Sequence, residues 1–535
     1  MTATWRITEV VLEGMLDHDN PYLDLEPVVV FTGPDGRRIP RPAFWDGGRV
    51  WRVRFAAPVP GEWSYAIETA TGDPGLDSAA GVVRIEPDAH VDELTVYRHG
   101  FLRAAASGRH LEHADGTPFF WLADTHWRFA WERWDEANKP GWTSQFRGMV
   151  DHRVEQGFTV YQSNIFSYGD GGVSSDAWGE GEPYRVLDPE YFRDVLDPRF
   201  GYIAEAGLVH AVGLAWYNAI DADPGRVARF ARYIVARYGS YPVVWTLAGE
   251  VAGYDPELRE SRIDGWREVA HAIRDADGYP QPRTAHLTNE RPIADYYQGE
   301  DWLDFTLNQL GHGDLDLSPS HYRDHFAAHP GVPMIEGESM YEGITSVEPV
   351  GRRPATDTMV RQIAYRAIQS GCCGYSYGGQ GCWNNGWDHE QGATMWGSLP
   401  WYDGIDLLGA TQLGLLRGFY ESLPWWRLTP VFDVFDAGGM MNAVFYPPVV
   451  SADEERRTVV AYFGETYRSE EGAPAFVGLL DILYRMWWFD PRTGATLPAG
   501  ERLEPREGRL DLPAKPTPDD DWVLVAQAEP EPTTA

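Results

Sequence analysis

The sequence predicts a multidomain chain: a (β/α)8 TIM barrel flanked by N-terminal and C-terminal β-sandwich domains. Three observations lead there. Between Gly100 and Pro430 eight short apolar runs alternate with helix-period segments, the pattern of a parallel sheet built from βα units. The residues on either side of that stretch have strand composition without helical period. No GxGxxG or phosphate-binding loop supports the competing open, doubly wound sheet. The expected domains are 1–90, 91–430 and 431–528, with a disordered acidic, proline-containing tail at 529–535.

The N-terminal unit follows from VVVFTG (28–33), RVWRVRF (49–55) and EWSYAIET (62–69), which are strand-like runs separated by the turn signals DGG and PGE. The barrel strands are expected within PFFWLADTHW (118–127), FTVYQSNIF (158–166), LVHAVGLAWY (208–217), VVWTLAGE (243–250), RTAHLTNE (283–290), WLDFTLNQLGH (302–312), VPMIEGE (332–338) and CCGYSYGGQGCW (372–383). Between them, Val227, Phe230, Ala231, Ile234, Val235 and Tyr238 recur at helical spacing, as do Val360, Ile363, Ala364, Ala367 and Ile368. After residue 431, NAVFYPPVV (442–450), RRTVVAYFG (456–464) and LYRMWWFDPRTGATL (483–497) return to strand composition.

Charge and cysteine usage narrow the function. A formal net charge of −35 over 535 residues repels phosphate backbones and anionic membranes, so nucleic-acid and membrane partners are excluded in favour of a small neutral ligand. The 23 Trp and 27 Tyr suit sugar stacking as well as core filling. Cys372, Cys373 and Cys382 build neither a disulfide framework nor a zinc site. The start MTATWRITEV lacks a signal-peptide pattern, and no run reaches the ~20 apolar residues of a membrane span, so a cytoplasmic protein is expected. A homo-oligomer is compatible with the sequence, and no cofactor is called for.

Barrel enzymes carry their chemistry at the carboxyl ends of the strands. Glu250 ends the fourth run and Glu338 the seventh, so the two can face each other across a bound sugar, the carboxylate pair that glycoside hydrolysis requires. One must be protonated and the other ionised, which demands environments that push their pKa values apart. Glu336 and Glu342 compete with Glu338, and strand alternation puts Glu336 and Glu338 on one side, so geometry alone does not choose between them. Other strand ends are rich in groups for sugar hydroxyls and C–H faces: Asp124, His126 and Trp127; Gln162 and Asn164; Trp216; His286, Asn289 and Glu290; Asn308, Gln309 and His312; Tyr377 and Trp383. His126, His286 and His312 imitate a metal site but lack close ligand spacing, and no metal is expected. His210 is expected to be a satisfied core residue.

NPYLDLEPVVVF, PAFWDGGRVWRVRF and PGEWSY resemble the domain of unknown function that precedes the barrel in many carbohydrate-active proteins. LEHADGTPFFWLADTHW, HRVEQGFTVYQ, VVWTLAGE, NQLGH, MIEGESMYEG, VRQIAYRAIQSGCCGYSYG and LLRGFYESLPWWRLTP, in that order, resemble the apiosidase-like family of glycoside hydrolases. The last β-rich segment resembles the terminal sandwich attached to such barrels, labelled collagen-binding. The resemblance implies hydrolysis of a glycosidic bond, with a pentofuranoside as one substrate type. It also implies that Glu250 is the acid/base and that Glu338, in the GE before Tyr341-Glu342, is the nucleophile, with Tyr341 beside the sugar. Some relatives carry Asp where this chain has Glu250, which changes the reach of the acid.

The expected function is an exo-acting, retaining glycosidase that releases a terminal neutral sugar such as apiose or arabinose. The Trp-rich GCWNNGWDHE segment is expected to wall off one side of its pocket. A transglycosidase would use the same pair with water excluded. A non-catalytic carbohydrate-binding barrel would tolerate loss of one carboxylate, and both are present.

Overall fold

The computed structural model describes residues 3–86, 93–166, 177, 181–286, 293–297, 299–312, 320–345, 354–391, 394, 396–439, 447–467 and 473–529. Asn289, Glu290 and most of the acidic tail lie outside the described residues.

Strands Trp121–Thr125, Val160–Asn164, Val209–Gly213, Val243–Trp245, Thr306–Gln309, Met334–Glu338 and Gly374–Tyr377 form one all-parallel sheet. The first of them pairs with both the second and the last, Ala123 lying opposite Val160 on one side and Ser376 on the other. The two remaining edges, Val243–Trp245 and Thr306–Gln309, are joined through residues 283–286 by parallel bridges from Trp245 to Arg283 and from Leu307 to His286. The sheet is thus a curled parallel sheet of the TIM-barrel kind, and all eight apolar runs contribute to it. The fifth does so only through those two bridges.

The helices outside the sheet follow their sequence periods. Pro224–Tyr238 begins at Asp223, whose side chain accepts from the Arg226 N–H, has proline in its first turn and ends at Gly239. Its Val227, Phe230, Ala231, Ile234, Val235 and Tyr238 are all buried against the sheet and the next helix, Arg259–Ala276. Asp357–Gln369 is capped by Thr356 and buries Val360, Ile363, Ala364 and Ala367. Among the described residues no helix is long and apolar enough to cross a membrane, and the three cysteines are free and buried.

Both flanks are rich in antiparallel sheet. At the N-terminus a four-stranded and a three-stranded sheet, spanning Ile7–Ile85, share one core of Val29, Phe31, Trp51, Val53, Phe55 and Trp63. Arg54 and Arg237 both reach Asp197, and Arg237 also reaches Asp46, so buried ion pairs fix this region to the barrel helices. At the C-terminus a six-stranded sheet begins with Thr429–Pro430 and packs with a three-stranded sheet around Trp488, Leu524 and Phe463. Its Thr458–Phe463 strand is buried on both faces, because the second face lies on the barrel helix Asp357–Gln369, where Tyr462 stacks on Tyr365. Trp425 packs on Phe120 beneath the barrel.

Candidate active site

The fourth strand stops at Trp245, and two residues later Leu247 enters the left-handed region at φ +56°. Ala248–Gly249 then pairs in parallel with Ala215–Trp216, and Glu250 follows, again left-handed at φ +53°. Each such non-glycine residue costs about 1–2 kcal/mol, so the chain spends backbone strain on where Glu250 points. Gly249 has no alternative: a Cβ there would lie 2.6 Å from the Trp216 ring and 2.8 Å from Asn164 Nδ2.

Glu250 is buried, and Oε1 accepts from the Tyr254 hydroxyl and, at 3.2 Å, from Gln309 Nε2. With two donors on Oε1, the proton of the acid form resides on Oε2. Burial raises the Glu250 pKa, and the charge of Glu338 raises it further against the pull of Tyr254, His286 and Gln309.

Glu338 sits in the opposite electrostatic setting. His312 Nε2 lies 3.0 Å from Oε1. His286 Nε2 stands 3.1 Å from Oε2, within ion-pair range although off the line of a straight hydrogen bond. Burial alone would push this carboxyl up, yet the two imidazoles hold it down at about 2.

Glu336 is separated from Glu338 by a bulge. Asn308 and Gln309, adjacent on the sixth strand, lie opposite Glu336 and Glu338, so Gly337 is the extra residue on the seventh. This corrects the alternation argument that put both carboxylates on one side. Glu336 Oε1 accepts the backbone N–H groups of Leu310 at 3.0 Å and Glu338 at 3.2 Å, and burial pushes its pKa up to about 8. Glu342 accepts from the Tyr377 hydroxyl at 2.7 Å and from the Gly409 N–H at 2.9 Å, in the first turn of the helix Leu408–Glu421.

Of the residues proposed for sugar contact, Gln309, His286 and His312 touch the carboxyl pair directly. The Tyr341 hydroxyl lies among Glu338, Thr125 and Trp127, accepting from the Trp127 indole N–H at 3.2 Å. Trp127 in turn stands 5.5 Å from Trp216 and 5.4 Å from His286. Asn164 is buried beside Gly249, and among the described residues neither its Oδ1 nor its Nδ2 meets a hydrogen-bond partner. Trp383 donates to Gln380 Oε1 and lies 6.1 Å from Tyr341. The other tryptophan of that segment, Trp387, packs instead near Trp401 and under Arg133.

Four residues are placed otherwise. Gln162 is a crossbar inside the sheet, donating to the Gly337 carbonyl at 2.9 Å and accepting from Ser376 at 2.8 Å. Thr125 shares that interior, so alternation sends Asp124 to the helix side, where Arg153 Nε donates to it at 2.6 Å. His126 joins Asp124 and Glu132, and this buried pair of carboxylates raises its pKa to about 9 despite burial. Tyr377 belongs to the same outer side through Glu342. The structure does not bring Asp124, His126 or Tyr377 to the carboxyl pair, because their polar atoms are spent on one another's elements. Among the described residues no three His, Cys, Asp or Glu side chains group as a metal ion would need. His210 is a core residue bonded to Ser163 at 2.7 Å.

Tyr254 was not legible as a site residue. The only cue is GEVAGY, an aromatic hydroxyl four residues past the acid.

A parallel barrel with one carboxyl held ionised and another pushed toward its protonated form is the equipment of a glycoside hydrolase. Sequence comparison agrees. The profile described as "Apiosidase-like, catalytic domain" matches residues 105–427, and that of a domain of unknown function (DUF5060) matches residues 1–70. The chain belongs to the apiosidase-like family of glycoside hydrolases. No curated protein matches it. Among solved structures it is similar to a glycoside hydrolase at 21% identity and TM-score 0.63, covering 80% of this chain and 97% of the other. A glycoside hydrolase family 5 structure from Bacteroides vulgatus ATCC 8482 is 19% identical with TM-score 0.66, covering 82% and 96%. Another protein of that organism, 15% identical with TM-score 0.71, matches over 99% of both chains.

Proposed function

We propose that this closed (β/α)8 barrel between two β-sandwiches is an exo-acting, retaining glycosidase, with Glu338 as nucleophile and Glu250 as general acid and then base. The observation that carries the reading is the divergence of the two carboxyls. Glu338, held at about 2, is ionised at every working pH, whereas Glu250 is pushed toward the form that can protonate a leaving oxygen. In the first step a lone pair of Glu338 forms a bond to the anomeric carbon as the glycosidic C–O bond breaks and the Oε2 proton of Glu250 passes to the departing oxygen. In the second, Glu250 takes a proton from water as that water displaces Glu338. The released sugar is a terminal neutral one, and the family name favours a pentofuranose. The burial of His286, Trp127 and Tyr341 around Glu338 supports a pocket closed on the glycone side.

The test combines a screen of nitrophenyl furanosides and pyranosides with two variants. Glu338→Ala should abolish turnover and regain it with azide, giving an azido-sugar of inverted anomer. Glu250→Ala should lose most activity on poor leaving groups and keep the glycosylation step for activated aryl glycosides. Proton NMR showing a first-formed sugar of inverted configuration would reject the retaining mechanism. A larger yield of transfer product than of free sugar, with an acceptor alcohol added, would favour a transglycosidase.

A further inference from the structure

Three exposed large aromatics stand out among the described residues: Trp131, Tyr254 and Phe432. Arg128 lies over the Trp131 ring and Arg323 over Phe432, so each of those faces already has a cation against it. Over Tyr254 no cation lies among the described residues. Tyr254 is 58% exposed, yet its hydroxyl is the donor to Oε1 of Glu250. Its ring meets Tyr217 edge-on, with centroids 6.1 Å apart and planes at 84°. The Arg262 guanidinium, which lies over Tyr217, is neutralised by both oxygens of Asp221 at 2.8 and 2.7 Å.

We propose that the open face of Tyr254, backed by Tyr217, is the platform on which the leaving part of the substrate stacks, and that this part is a neutral ring, either aryl or sugar. The inference rests on the glycosidase reading and extends it. The general acid must reach the oxygen that departs, so whatever borders Glu250 from the solvent side borders the leaving group. The glycone side, around Glu338, is walled by the buried His286, Trp127 and Tyr341, whereas the Glu250 side opens onto an aromatic face. That ring is held at its hydroxyl by Glu250 and stands perpendicular to Tyr217, so little conformational freedom is left to lose when a second ring lies on it. Among the described residues the guanidinium beside this face, Arg262, is already compensated by Asp221, so it offers no unpaired cation to an anionic aglycone.

The test uses the full chain and, on whichever glycone the nitrophenyl screen identifies, two substrates of similar leaving-group acidity. One is a disaccharide with a sugar ring as aglycone, the other a trifluoroethyl glycoside with none. Tyr254→Ala should lower kcat/KM on the disaccharide by roughly 2- to 10-fold more than on the trifluoroethyl glycoside, the range of an aromatic stacking contact. Tyr254→Phe keeps the face and loses only the hydroxyl. It should therefore retain the preference for the ring, while the alkaline limb of its pH profile moves upward because a donor to Glu250 is gone. Equal losses on both substrates in Tyr254→Ala, or a ring preference lost in Tyr254→Phe as fully as in Tyr254→Ala, would overturn the platform and leave the tyrosine only positioning the acid. A wild-type protein that cleaves no glycoside would overturn the hydrolase reading and the platform with it.

Discussion

The backbone N–H of Glu250 donates to Nδ1 of His286 at 3.2 Å. Because Nδ1 accepts, the ring carries its N–H on Nε2, the nitrogen that stands 3.1 Å from Oε2 of Glu338. One ring from the fifth strand segment thus ties the position of the acid to the charge of the carboxylate opposite, and fixes its own tautomer in doing so.

Replacing His286 by alanine should therefore act on both groups. Leaving the buried Glu250 N–H without its acceptor costs about 1–3 kcal/mol, or roughly 5- to 150-fold in kcat/KM. An acidic limb from Glu338, absent above pH 4 in the wild type, should also move up toward the observable range, since His286 is one of the two groups holding Glu338 down. Titration of kcat/KM against pH checks this, and a variant profile still without an acidic limb above pH 4 would reduce His286 to a packing residue.

Glu336 and Glu338 should part company when each is changed to glutamine. Glu336 has a pKa raised from 4.5 to about 8, so it is neutral at pH 6, and glutamine reproduces an oxygen accepting from the Leu310 and Glu338 N–H groups. A carboxyl raised in the folded state contributes stability that is fully present below about 4.5 and is lost as pH rises through about 8. Glu336→Gln should hence be nearly as active as wild type at pH 6 and more heat-resistant than it above pH 8, while Glu338→Gln is inactive at both. An inactive Glu336→Gln beside an active Glu338→Gln would move the nucleophile two residues upstream.

How much of this could be read from the chain differs residue by residue. The seven strands and the bridged segment 283–286 were legible because each is an apolar run between turn signals, and Glu250 because it ends one of them. The split between Glu336 and Glu338 was not, since alternation assumes an unbroken strand and nothing in MIEGE marks Gly337 as a bulge until its neighbour on the sixth strand is known. Asp124 and Thr125 occupy the same strand end but opposite faces, so polarity at a strand end did not by itself mean the pocket. Tyr254 lies on a loop, where no periodicity constrains direction.

The pH profile of the wild-type enzyme should be one-sided. With Glu338 ionised down to about 2, no acidic limb from the nucleophile is expected above pH 4, and any fall there should coincide with unfolding followed by tryptophan fluorescence. The alkaline limb belongs to Glu250 and should lie above the ordinary carboxylate range, since burial and the charge of Glu338 both raise it. An alkaline limb at an unperturbed glutamate value would mean that Glu250 is not the acid.

Gly249→Ala should damage the site without removing any reacting group. The new methyl would fall 2.6 Å from the Trp216 ring and 2.8 Å from Asn164 Nδ2, so one of them must move or Glu250 must. Overpacking of this kind costs about 1–3 kcal/mol in stability. The larger effect should be on kcat with a poor leaving group, because Glu250 is displaced, and addition of an activated aryl leaving group should recover much of it. Equal losses on both substrates would show that the methyl disturbs the sugar pocket rather than the acid.

Arg361 and Asp521 make the last case, on the seam between barrel and C-terminal region. Nε and Nη2 of Arg361 donate to the two oxygens of Asp521 at 2.9 and 2.8 Å, and the Tyr462 hydroxyl donates to the same carboxylate at 2.9 Å. Both partners are almost fully buried, at 2% and 1% exposed. Breaking such a pair leaves an uncompensated charge in a dry interface, which costs about 3–5 kcal/mol, whereas replacing both partners with apolar residues of similar volume is often neutral. Arg361→Met alone should lower Tm and separate the melting of the C-terminal region from that of the barrel, and Arg361→Met with Asp521→Leu should recover a large part of the loss. Calorimetry of the two variants decides between the outcomes: if the double variant is no better than the single, the seam depends on the charges themselves and not on the cost of leaving one unpaired.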